Sequence, residues 1–256
     1  MNKIAVFVTA RLKSKRLKNK ALAYIGGKSS IEWCLENSSK IKNISKVYLL
    51  TSYLKKDNKL AKFKFKKKFK IFRGNPENII ERFLKAAKKY KIETIIRVTG
   101  DNPFVSHEII SILLRSHLKS NSDFTTAKKS SIGTSAEIIK VSALKYLESK
   151  IKNFSKSEYL TMFFLDNPKY FKINLVNLPK KMIRNYRLTL DYKEDLLMLN
   201  ELYKIIHQKK LRTNLNNIFS ILDKNKYLDK INNTRKQVYN STTFRKRILK
   251  YTKINS

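Results

Sequence analysis

Two acidic residues that are far apart in the chain each lie at or just after the end of a short apolar run. Asp101 follows the run 95–98 and a glycine, and Asp191 ends the run 187–191. Both runs are predicted strands, and in open α/β sheets ligands bind outside the carboxyl ends of the strands. Two carboxylates there suit Mg²⁺, which takes a few protein oxygens together with substrate phosphates. The alternative for the Gly-Asp-Asn-Pro segment around Asp101 is a strand-ending turn without a catalytic role.

A strongly basic segment follows the first predicted strand. Residues 11–20 carry six positive charges and two small polar residues, Ser14 and Asn19. Several cations and exposed backbone N–H groups near the end of a strand are what a triphosphate needs. The segment contains no glycine, which excludes a Walker loop and a dinucleotide fingerprint, and Asn19 tolerates a positive φ at low cost. A solvated basic turn is the alternative interpretation.

The composition excludes several classes of protein. The 256 residues are enough for one α/β domain with a sizeable core, and no apolar run is long enough to predict a membrane span. The formal net charge of +38 is spread along the chain and comes mostly from lysine. We therefore interpret it as a compositional bias and favour a phosphate-rich small substrate over nucleic acid.

The cysteine and histidine content excludes the common metal sites. The single cysteine, Cys34, cannot form an internal disulfide or a cysteine-rich zinc site, and it lies in a predicted helix where we expect it to be buried. The histidines lack the spacing of metal ligands. We expect a cytoplasmic protein.

Apolar segments alternate with amphipathic ones along most of the chain. The predicted strands are residues 3–10, 47–52, 69–72, 95–98, 123–126, 133–139, 170–176 and 187–191. Helices are predicted to begin after Ser29 or Ser30, at Asn75-Pro76, and after Ser106, because Ser and Asn cap helices and Pro fits the first turn. This alternation predicts an α/β fold with a doubly wound, mostly parallel sheet. We interpret the basic and aromatic run 62–70 as a helix end that leads into a strand.

Four ordered motifs resemble those of the cytidylyltransferases that make CMP-activated sugars. The resemblance is greatest to the spore-coat-polysaccharide type, which is related to the CMP-Kdo and acylneuraminate synthetases. The motifs are Ala10-Arg11-Leu-Lys-Ser14-Lys-Arg16-Leu17-Lys18-Asn19-Lys20, Phe72-Arg73-Gly74, Arg97-Val-Thr-Gly-Asp101-Asn-Pro103 and Arg187-Leu-Thr-Leu-Asp191-Tyr-Lys-Glu194-Asp195. The similarity extends from residue 3 to about residue 205.

The resemblance implies a reaction and a set of site residues. The fold would be the Rossmann-like nucleotide-diphospho-sugar transferase type, and a substrate oxygen would attack the α-phosphate of CTP to give a CMP conjugate and pyrophosphate. Arg11, Lys20 and Asp101 would be catalytic, and Asp101 and Asp191 would hold Mg²⁺. The implied nucleotide-binding residues are Ala10, Arg11, Ser14, Arg16, Lys20, Arg73, Thr99 and Asp101. Family members are commonly dimers, which implies a homodimer.

The sequence departs from the family pattern on the acceptor side. Ser135 replaces an Asp of the family, Tyr159 replaces a His, and the family's Pro-Gly in the first motif is Lys18-Asn19. The predicted acceptor-binding residues are Ser135, Glu137 and Tyr159. We expect an acidic sugar, Kdo-like or nonulosonic, or a related acceptor, for surface glycan biosynthesis. Two alternatives are a catalytically divergent paralogue and a basic nucleic-acid-binding protein on the same scaffold.

The predicted organisation is one main domain with a tail. The nucleotidyltransferase domain covers residues 1–208 and contains a small acceptor and dimerisation insertion at about 130–180. A basic helical C-terminal extension covers 209–256, lacks Gly and Pro, and has amphipathic stretches such as 218–228. It could pack on the domain, mediate assembly or stay partly disordered, and no residue pattern in it predicts chemistry.

Overall fold

A seven-stranded sheet forms the centre of the protein. The computed structural model describes residues 3–14, 16–63, 65, 69–151, 153–235 and 242–254. The strands are β1 (Ile4–Thr9), β2 (Tyr24–Ile25), β3 (Lys28–Ser29), β4 (Lys46–Ser52), β5 (Lys70–Gly74), β6 (Thr94–Thr99), β7 (Phe124–Ala127), β8 (Glu137–Lys140) and β9 (Ile173–Val176). The α-helices are α1 (Ser30–Ser38), α2 (Asn58–Ala61), α3 (Ile79–Tyr90), α4 (His107–Ser120), α5 (Val141–Lys150), α6 (Leu160–Leu165), α7 (Lys193–Gln208), α8 (Leu215–Lys224), α9 (Lys226–Asn232) and α10 (Thr242–Thr252).

The order of the strands confirms a doubly wound, mostly parallel sheet. It is β5-β4-β1-β6-β8-β7-β9, in which β8 runs antiparallel to its neighbours β6 and β7 and the other pairs are parallel. The short strands β2 and β3 form a separate hairpin. Strands β1, β4 and β6 end side by side, with Thr9 opposite Leu50 and Thr99. This edge is where open α/β sheets bind ligands.

Helices cover both faces of the sheet. Alternate residues of β1 point to opposite faces, so that Val6 and Val8 lie in one apolar core and Ala5 and Phe7 lie in the other. The first core is shared with α1, α4, α7 and α8, and the second with α3, α5 and α6. Cys34 of α1 is fully buried, as predicted, and burial raises the pKa of its thiol.

The segment 187–191, which lies within the described residues, is not a strand, contrary to the prediction. It makes one bridge, between Arg187 and Ile132, and is otherwise extended loop. Leu190 N donates to Asp101 O at 2.7 Å, so the segment lies beside the end of β6 without joining the sheet. An apolar run beside a sheet edge has the same sequence pattern as a buried strand, which explains the error.

Helix α3 begins later than predicted. The side chain of Asn78 caps it by accepting from Glu81 N at 3.0 Å. Asn75 Oδ1 instead accepts from the N–H groups of Glu77 and Asn78, each at 3.0 Å, and forms a turn that contains Pro76. Two asparagines three residues apart can both cap a helix, and the later one does so here.

Other predicted elements differ from the structure at their ends. Strand β8 is shorter than the predicted 133–139 because Gly133 has a φ of +90° and begins a turn. The Cβ of any other residue there would lie 2.6 Å from the carbonyl carbon of Leu188. In the run 62–70, Phe65 and Phe69 pack against the core and Lys62 and Lys70 are exposed, as interpreted. Residues 64 and 66–68 lie outside the described residues.

The described part of the C-terminal segment packs on the domain at two places. Helices α8 and α9 contact α7, and Ile218 and Leu228 belong to the same core as Val8 of β1. Helix α10 contacts α6, and just after α6 the side chain of Asn167 donates from Nδ2 to Thr252 O at 2.7 Å. In the portion of the chain that the structure describes, every helix is too short or too polar to cross a membrane.

Candidate active site

A cavity of about 320 Å³ opens where β1 and β6 end. It is lined by Thr9, Ala10, Arg11, Lys13, Ser14, Arg16, Lys20, Ala21, Ile79, Arg97, Thr99, Gly100, Asp101 and Glu158. The structure therefore brings seven of the eight predicted nucleotide-binding residues to one cavity, and the eighth, Arg73, lies elsewhere. Three features of the backbone form this cavity: the ends of β1 and β6, Gly100 directly after β6, and the turn before Lys20.

Gly100 lets the two strand ends approach each other. Its N–H donates to Thr9 O at 2.8 Å, and a Cβ there would lie 2.9 Å from both Ala10 Cβ and Thr9 O. Asn19 has a φ of +52°, the conformation expected of it, and the chain turns there before Lys20. The family's glycine at this position is thus replaced by a residue that adopts the left-handed region.

The Lys20 ammonium joins the two predicted metal ligands. Its Nζ donates to Asp101 Oδ2 and to Asp191 Oδ1, each at 2.7 Å. Burial lowers the pKa of Lys20, but the two carboxylates outweigh it and the pKa is raised overall. Burial raises the pKa of Asp101, but the Lys20 ammonium outweighs it and the pKa lies below its usual value. At neutral pH Lys20 is therefore a cation and Asp101 is a carboxylate.

A buried ion pair supports Asp191 from below. Arg187 Nε and one terminal nitrogen donate to Asp195 Oδ1 and Oδ2 at 2.8 and 3.0 Å, and the same terminal nitrogen lies 3.2 Å from Asp191 Oδ2. Asp195 Oδ2 accepts from the N–H groups of Asp191 and Tyr192 at 2.8 and 3.0 Å. Burial lowers the pKa of Arg187, but Asp195 outweighs it and raises the pKa. The side chains of Arg187 and Asp195 are 5% and 0% exposed, so the pair forms a rigid base for the loop.

Arg16 approaches Asp191 from the solvent side. Its guanidinium donates to Asp191 Oδ1 at 2.7 Å and lies 5.0 Å from the centre of the Tyr192 ring. Arg16 and Lys20 thus bond the same carboxylate oxygen, one from the mouth of the cavity and one from inside it. The face of an aromatic ring attracts a guanidinium, and this attraction helps to hold Arg16 in place.

The first loop is fixed by a buried acid that the sequence analysis missed. Asp57 Oδ1 accepts from Leu12 N at 2.7 Å, and Oδ2 accepts from the Ser52 hydroxyl. Asp57 is fully buried. Its signal in the sequence is one acid just before α2, and an acid near the start of a helix is explained by its favourable interaction with the helix dipole, without any role in a site.

Arg11 makes bonds that a phosphate can replace. Its guanidinium donates to Pro76 O and lies 3.5 Å from Glu77 Oε1 and 3.4 Å from Glu158 Oε2. Both carboxylates are about half exposed, and ion pairs of this kind contribute little. Pro76 O also accepts from the buried Arg82 at 3.1 Å, which holds the turn below Arg11.

A second cavity, of about 120 Å³, adjoins the first through Arg97 and Thr99. It is lined by Arg97, Thr99, Asn102, Thr126, Ser135, Ala136 and Glu137. Arg97 donates to the Glu137 carboxylate and to Glu158 O, the latter at 3.2 Å, and Glu137 also accepts from the Thr161 hydroxyl. Arg97 therefore connects the two cavities, a position that its place in the third motif did not predict.

Three predicted site residues, Arg73, Tyr159 and Asp191, are not among the described residues that line either cavity, although Asp191 bonds Arg16 and Lys20, which line the larger one. Arg73 donates from Nε to Ser52 O at 3.0 Å and from a terminal nitrogen to Leu54 O at 3.2 Å, and so supports the end of β4. The Tyr159 ring packs edge-on against Phe244 of α10, with the ring centres 5.1 Å apart. Of the predicted acceptor residues, Ser135 and Glu137 line the smaller cavity.

The donor set at Asp101 and Asp191 fits a magnesium ion. Among the described residues, no group of three or more His, Cys, Asp or Glu side chains could hold a metal. Mg²⁺ does not require such a cage, because it takes one or two carboxylates and completes its shell with phosphates and water. The Lys20 ammonium donates to both carboxylates, so one oxygen of each lies 2.7 Å from the same cation beside the cavity.

Comparison with known proteins shows which family the chain matches. The family model described as cytidylyltransferase matches residues 5–244. An uncharacterized protein of Methanocaldococcus jannaschii is 33% identical over 239 residues, which are 93% of this chain and 98% of that protein. The spore coat polysaccharide biosynthesis protein SpsF of Bacillus subtilis is 28% identical over 215 residues, which are 80% of this chain and 88% of that protein.

Solved structures show the same fold. A cytidylyltransferase from Leptospira borgpetersenii superposes with a TM-score of 0.82 at 25% identity and covers 93% of this chain and 100% of its own. A CMP:2-keto-3-deoxy-manno-octonic acid synthetase, solved with CTP, superposes with a TM-score of 0.60 at 15% identity and covers 81% of this chain and 100% of its own.

Proposed function

The chain belongs to the cytidylyltransferase family and is a CTP-using nucleotidyltransferase, and from this premise we propose that it transfers CMP from CTP to an acidic sugar, with Mg²⁺ and release of pyrophosphate. The observation that carries the proposal is the contact of Lys20 with Asp101 and Asp191, beside a cavity lined by Arg11 and Arg16. The acceptor oxygen forms a bond to the α-phosphorus of CTP, and the bond from that phosphorus to the bridging oxygen of the pyrophosphate breaks.

The basic side chains of the first loop would bind the triphosphate. Arg11 and Arg16 reach the cavity from the side of the first loop, and Lys20 lies deeper in it. Two of the three donors of Lys20 bond carboxylates, which leaves one for a phosphate oxygen. Catalysis would consist mainly of holding the two substrates in line and stabilising the charge that develops on the leaving pyrophosphate.

Asp101 and Asp191 would hold Mg²⁺, which when bound neutralises phosphate charge and favours departure of pyrophosphate. Asp101 lies beside Thr99, at the boundary between the two cavities, where its carboxylate can accept a hydrogen bond from the attacking hydroxyl. Asp191 is bonded by Arg16, Lys20 and Arg187, so its orientation is fixed before substrate arrives.

The smaller cavity would take the acceptor. Its lining combines the Arg97 guanidinium with the hydroxyl groups of Thr126 and Ser135 and the amide of Asn102. A guanidinium suits a carboxylate, and hydroxyls and amides suit the hydroxyl groups of a sugar. The similarity to the spore coat polysaccharide biosynthesis protein of Bacillus subtilis supports a role in surface glycan synthesis. A homodimer stays a prediction from the family resemblance, and a cytoplasmic location stays a prediction from the composition.

Pyrophosphate release tests the proposal. Purified protein is incubated with CTP, Mg²⁺ and each of several sugar acids, including Kdo and an acylneuraminate, beside neutral sugars of the same size. We expect release that requires an acid acceptor, stops when EDTA removes Mg²⁺, and yields the CMP conjugate by mass spectrometry. Turnover with neutral sugars alone would reject the acidic acceptor, and turnover unaffected by EDTA would reject Mg²⁺.

A further inference from the structure

The loop that carries Asp191 needs support from outside the sheet. Asp101 is the second residue after β6, whose backbone is fixed by ladders on both sides. The segment 187–191 instead lies outside the sheet ladders, with one bridge between Arg187 and Ile132 and backbone bonds from Leu188 N to Ile132 O and from Leu190 N to Asp101 O. At Asp191 itself the partners are side chains: Asp195 accepts from its N–H, and Arg187 donates to its carboxylate.

The Arg187–Asp195 pair gives this support, and it has a third member. Asn232, the last residue of α9, is fully buried. Its Nδ2 donates to Asp195 Oδ1 at 2.9 Å and to the main-chain carbonyl of Arg187 at 3.1 Å. Both partners are acceptors, so the amide nitrogen must face them, and the orientation of the side chain is determined chemically.

The three side chains form one continuous set of hydrogen bonds that ends at Asp191. Asn232 bonds Oδ1 of Asp195, Arg187 bonds both oxygens of Asp195, and Arg187 and Asp195 Oδ2 bond the side chain and the N–H of Asp191. The Asp195 carboxylate is thus held by donors on each oxygen, and its rotation would displace Arg187, which donates to the Asp191 carboxylate, and would remove the acceptor of the Asp191 N–H.

We propose that Asn232 is a positioning residue for the site, which orients the Asp191 carboxylate through Asp195 and Arg187. The proposal rests on the proposed role of Asp191 in holding Mg²⁺. Through Asn232, helix α9 helps to support the proposed metal ligand Asp191, although it belongs to the C-terminal segment in which the sequence predicts no chemistry. Groups that orient a metal ligand from outside the coordination shell typically affect affinity by roughly 10- to 100-fold.

Asn232→Asp is the most direct test. The variant keeps the shape of the side chain, removes both donors and places a negative charge beside Asp195. Asn225→Asp is the matched control, because Asn225 lies between α8 and α9 and its Nδ2 donates to Ile221 O at 2.8 Å, away from the Arg187–Asp195 pair. If Asn232→Asp does not fold, Asn232→Ser keeps one donor without added charge and replaces it.

The readout is equilibrium binding of Mn²⁺ in the presence of CTP and without acceptor, measured by electron paramagnetic resonance. We expect at least about tenfold weaker Mn²⁺ binding for Asn232→Asp and wild-type binding for Asn225→Asp. In an Asp191→Asn background, Asn232→Asp should add little further loss, because both changes act on the same ligand.

The outcomes separate the two proposals. Wild-type Mn²⁺ affinity in a folded Asn232 variant, with a lowered melting midpoint alone, would show a merely structural role and overturn the inference. An additive loss in the Asp191→Asn background would overturn it too, since Asn232 would then act by another route. Failure of the wild-type protein to bind Mn²⁺ with CTP would instead reject the proposed role of Asp191 itself.

Discussion

The nucleotide half and the acceptor half of the site are built differently. In the nucleotide half, Lys20, Asp101 and Asp191 come from distant segments, and the Lys20 ammonium donates to both carboxylates near the ends of β1 and β6. In the acceptor half, Arg97 bonds Glu137 and the carbonyl of Glu158, and the remaining lining consists mostly of small hydroxyl and amide groups.

The difference shows how the two halves divide the work. The nucleotide half consists of charged residues that match the family's motifs. Substitution of one of them would leave the charge of its partner uncompensated. The acceptor half depends on the shape of a small cavity and on Arg97, which borders both cavities. Changes in the first half should therefore abolish turnover, and changes in the second should alter acceptor use while CTP still binds.

Asp101→Asn should have the largest effect. The amide cannot replace a charged carboxylate at the proposed metal site, and we expect turnover to fall roughly 10²- to 10³-fold. The measurement is pyrophosphate release at saturating substrates, with circular dichroism to confirm the fold. Asp123→Asn is the control, because Asp123 lies at the amino end of β7, whereas Asp101 follows the carboxyl end of β6. Turnover near wild type for Asp101→Asn would remove the residue from the site.

Arg97→Lys tests the boundary between the halves. Lysine keeps the charge but cannot bond both the Glu137 carboxylate and Glu158 O with a planar fork. We expect kcat/KM for the acceptor to fall about tenfold, equal to ~1.4 kcal/mol, and the thermal shift produced by CTP to stay unchanged. Loss of the CTP shift would assign Arg97 to the nucleotide half instead.

Asp57→Ala tests whether the first loop must be held. The change removes the acceptor of Leu12 N and should raise KM for CTP about fivefold, the equivalent of one hydrogen bond of ~1 kcal/mol. Asp57→Asn keeps the shape and can keep both bonds, so its KM should be close to wild type. Equal effects of the two variants would show that the charge of Asp57, not its geometry, matters.

His117 should affect stability and not turnover. Burial lowers the pKa of His117 to about 4, and its Nδ1 lies 2.8 Å from the hydroxyl of Thr125 in the strand that borders the acceptor half. The unfolded chain takes up a proton near pH 6.5 that the folded chain does not, so stability should fall as the pH drops from 6.5 to 4. The slope from this group reaches about 1.4 kcal/mol per pH unit.

His117→Asn, which can keep a bond to Thr125, should flatten this dependence in urea unfolding between pH 7 and 4.5. His107→Asn is the control, since His107 is partly exposed at the start of α4. An unchanged slope in His117→Asn would show that another group titrates.

The sheet and the nucleotide half could be predicted because their signals are local. The apolar runs of β1, β4 and β6, the capping Ser29 and Ser106, and the left-handed Asn19 each follow from residues within one turn or strand. Asp101 and Asp191 meet as expected, although 187–191 lies beside the sheet rather than in it.

The supporting residues could not be predicted because their partners are distant in sequence. Asp57 bonds the backbone 45 residues earlier, and Asn232 bonds Asp195 37 residues earlier. Neither has a motif, and a buried Asp or Asn in a short helix has the same local pattern as a surface one. Arg73 and Tyr159 show the reverse case, in which a family position predicts a site residue that lies elsewhere. Arg73 bonds the backbone at Ser52, and Tyr159 packs against Phe244 of α10.

The most direct test of the central claim is a thermal-shift panel of CTP, UTP, ATP and GTP, each with and without Mg²⁺. A ligand that binds the folded state raises the melting midpoint according to its concentration and affinity. We predict the largest rise for CTP with Mg²⁺, a smaller one for CTP alone, and loss of the Mg²⁺-dependent part in Asp101→Asn. Equal shifts for all four nucleotides, or a CTP shift that ignores both Mg²⁺ and Asp101, would contradict the site assigned to these residues.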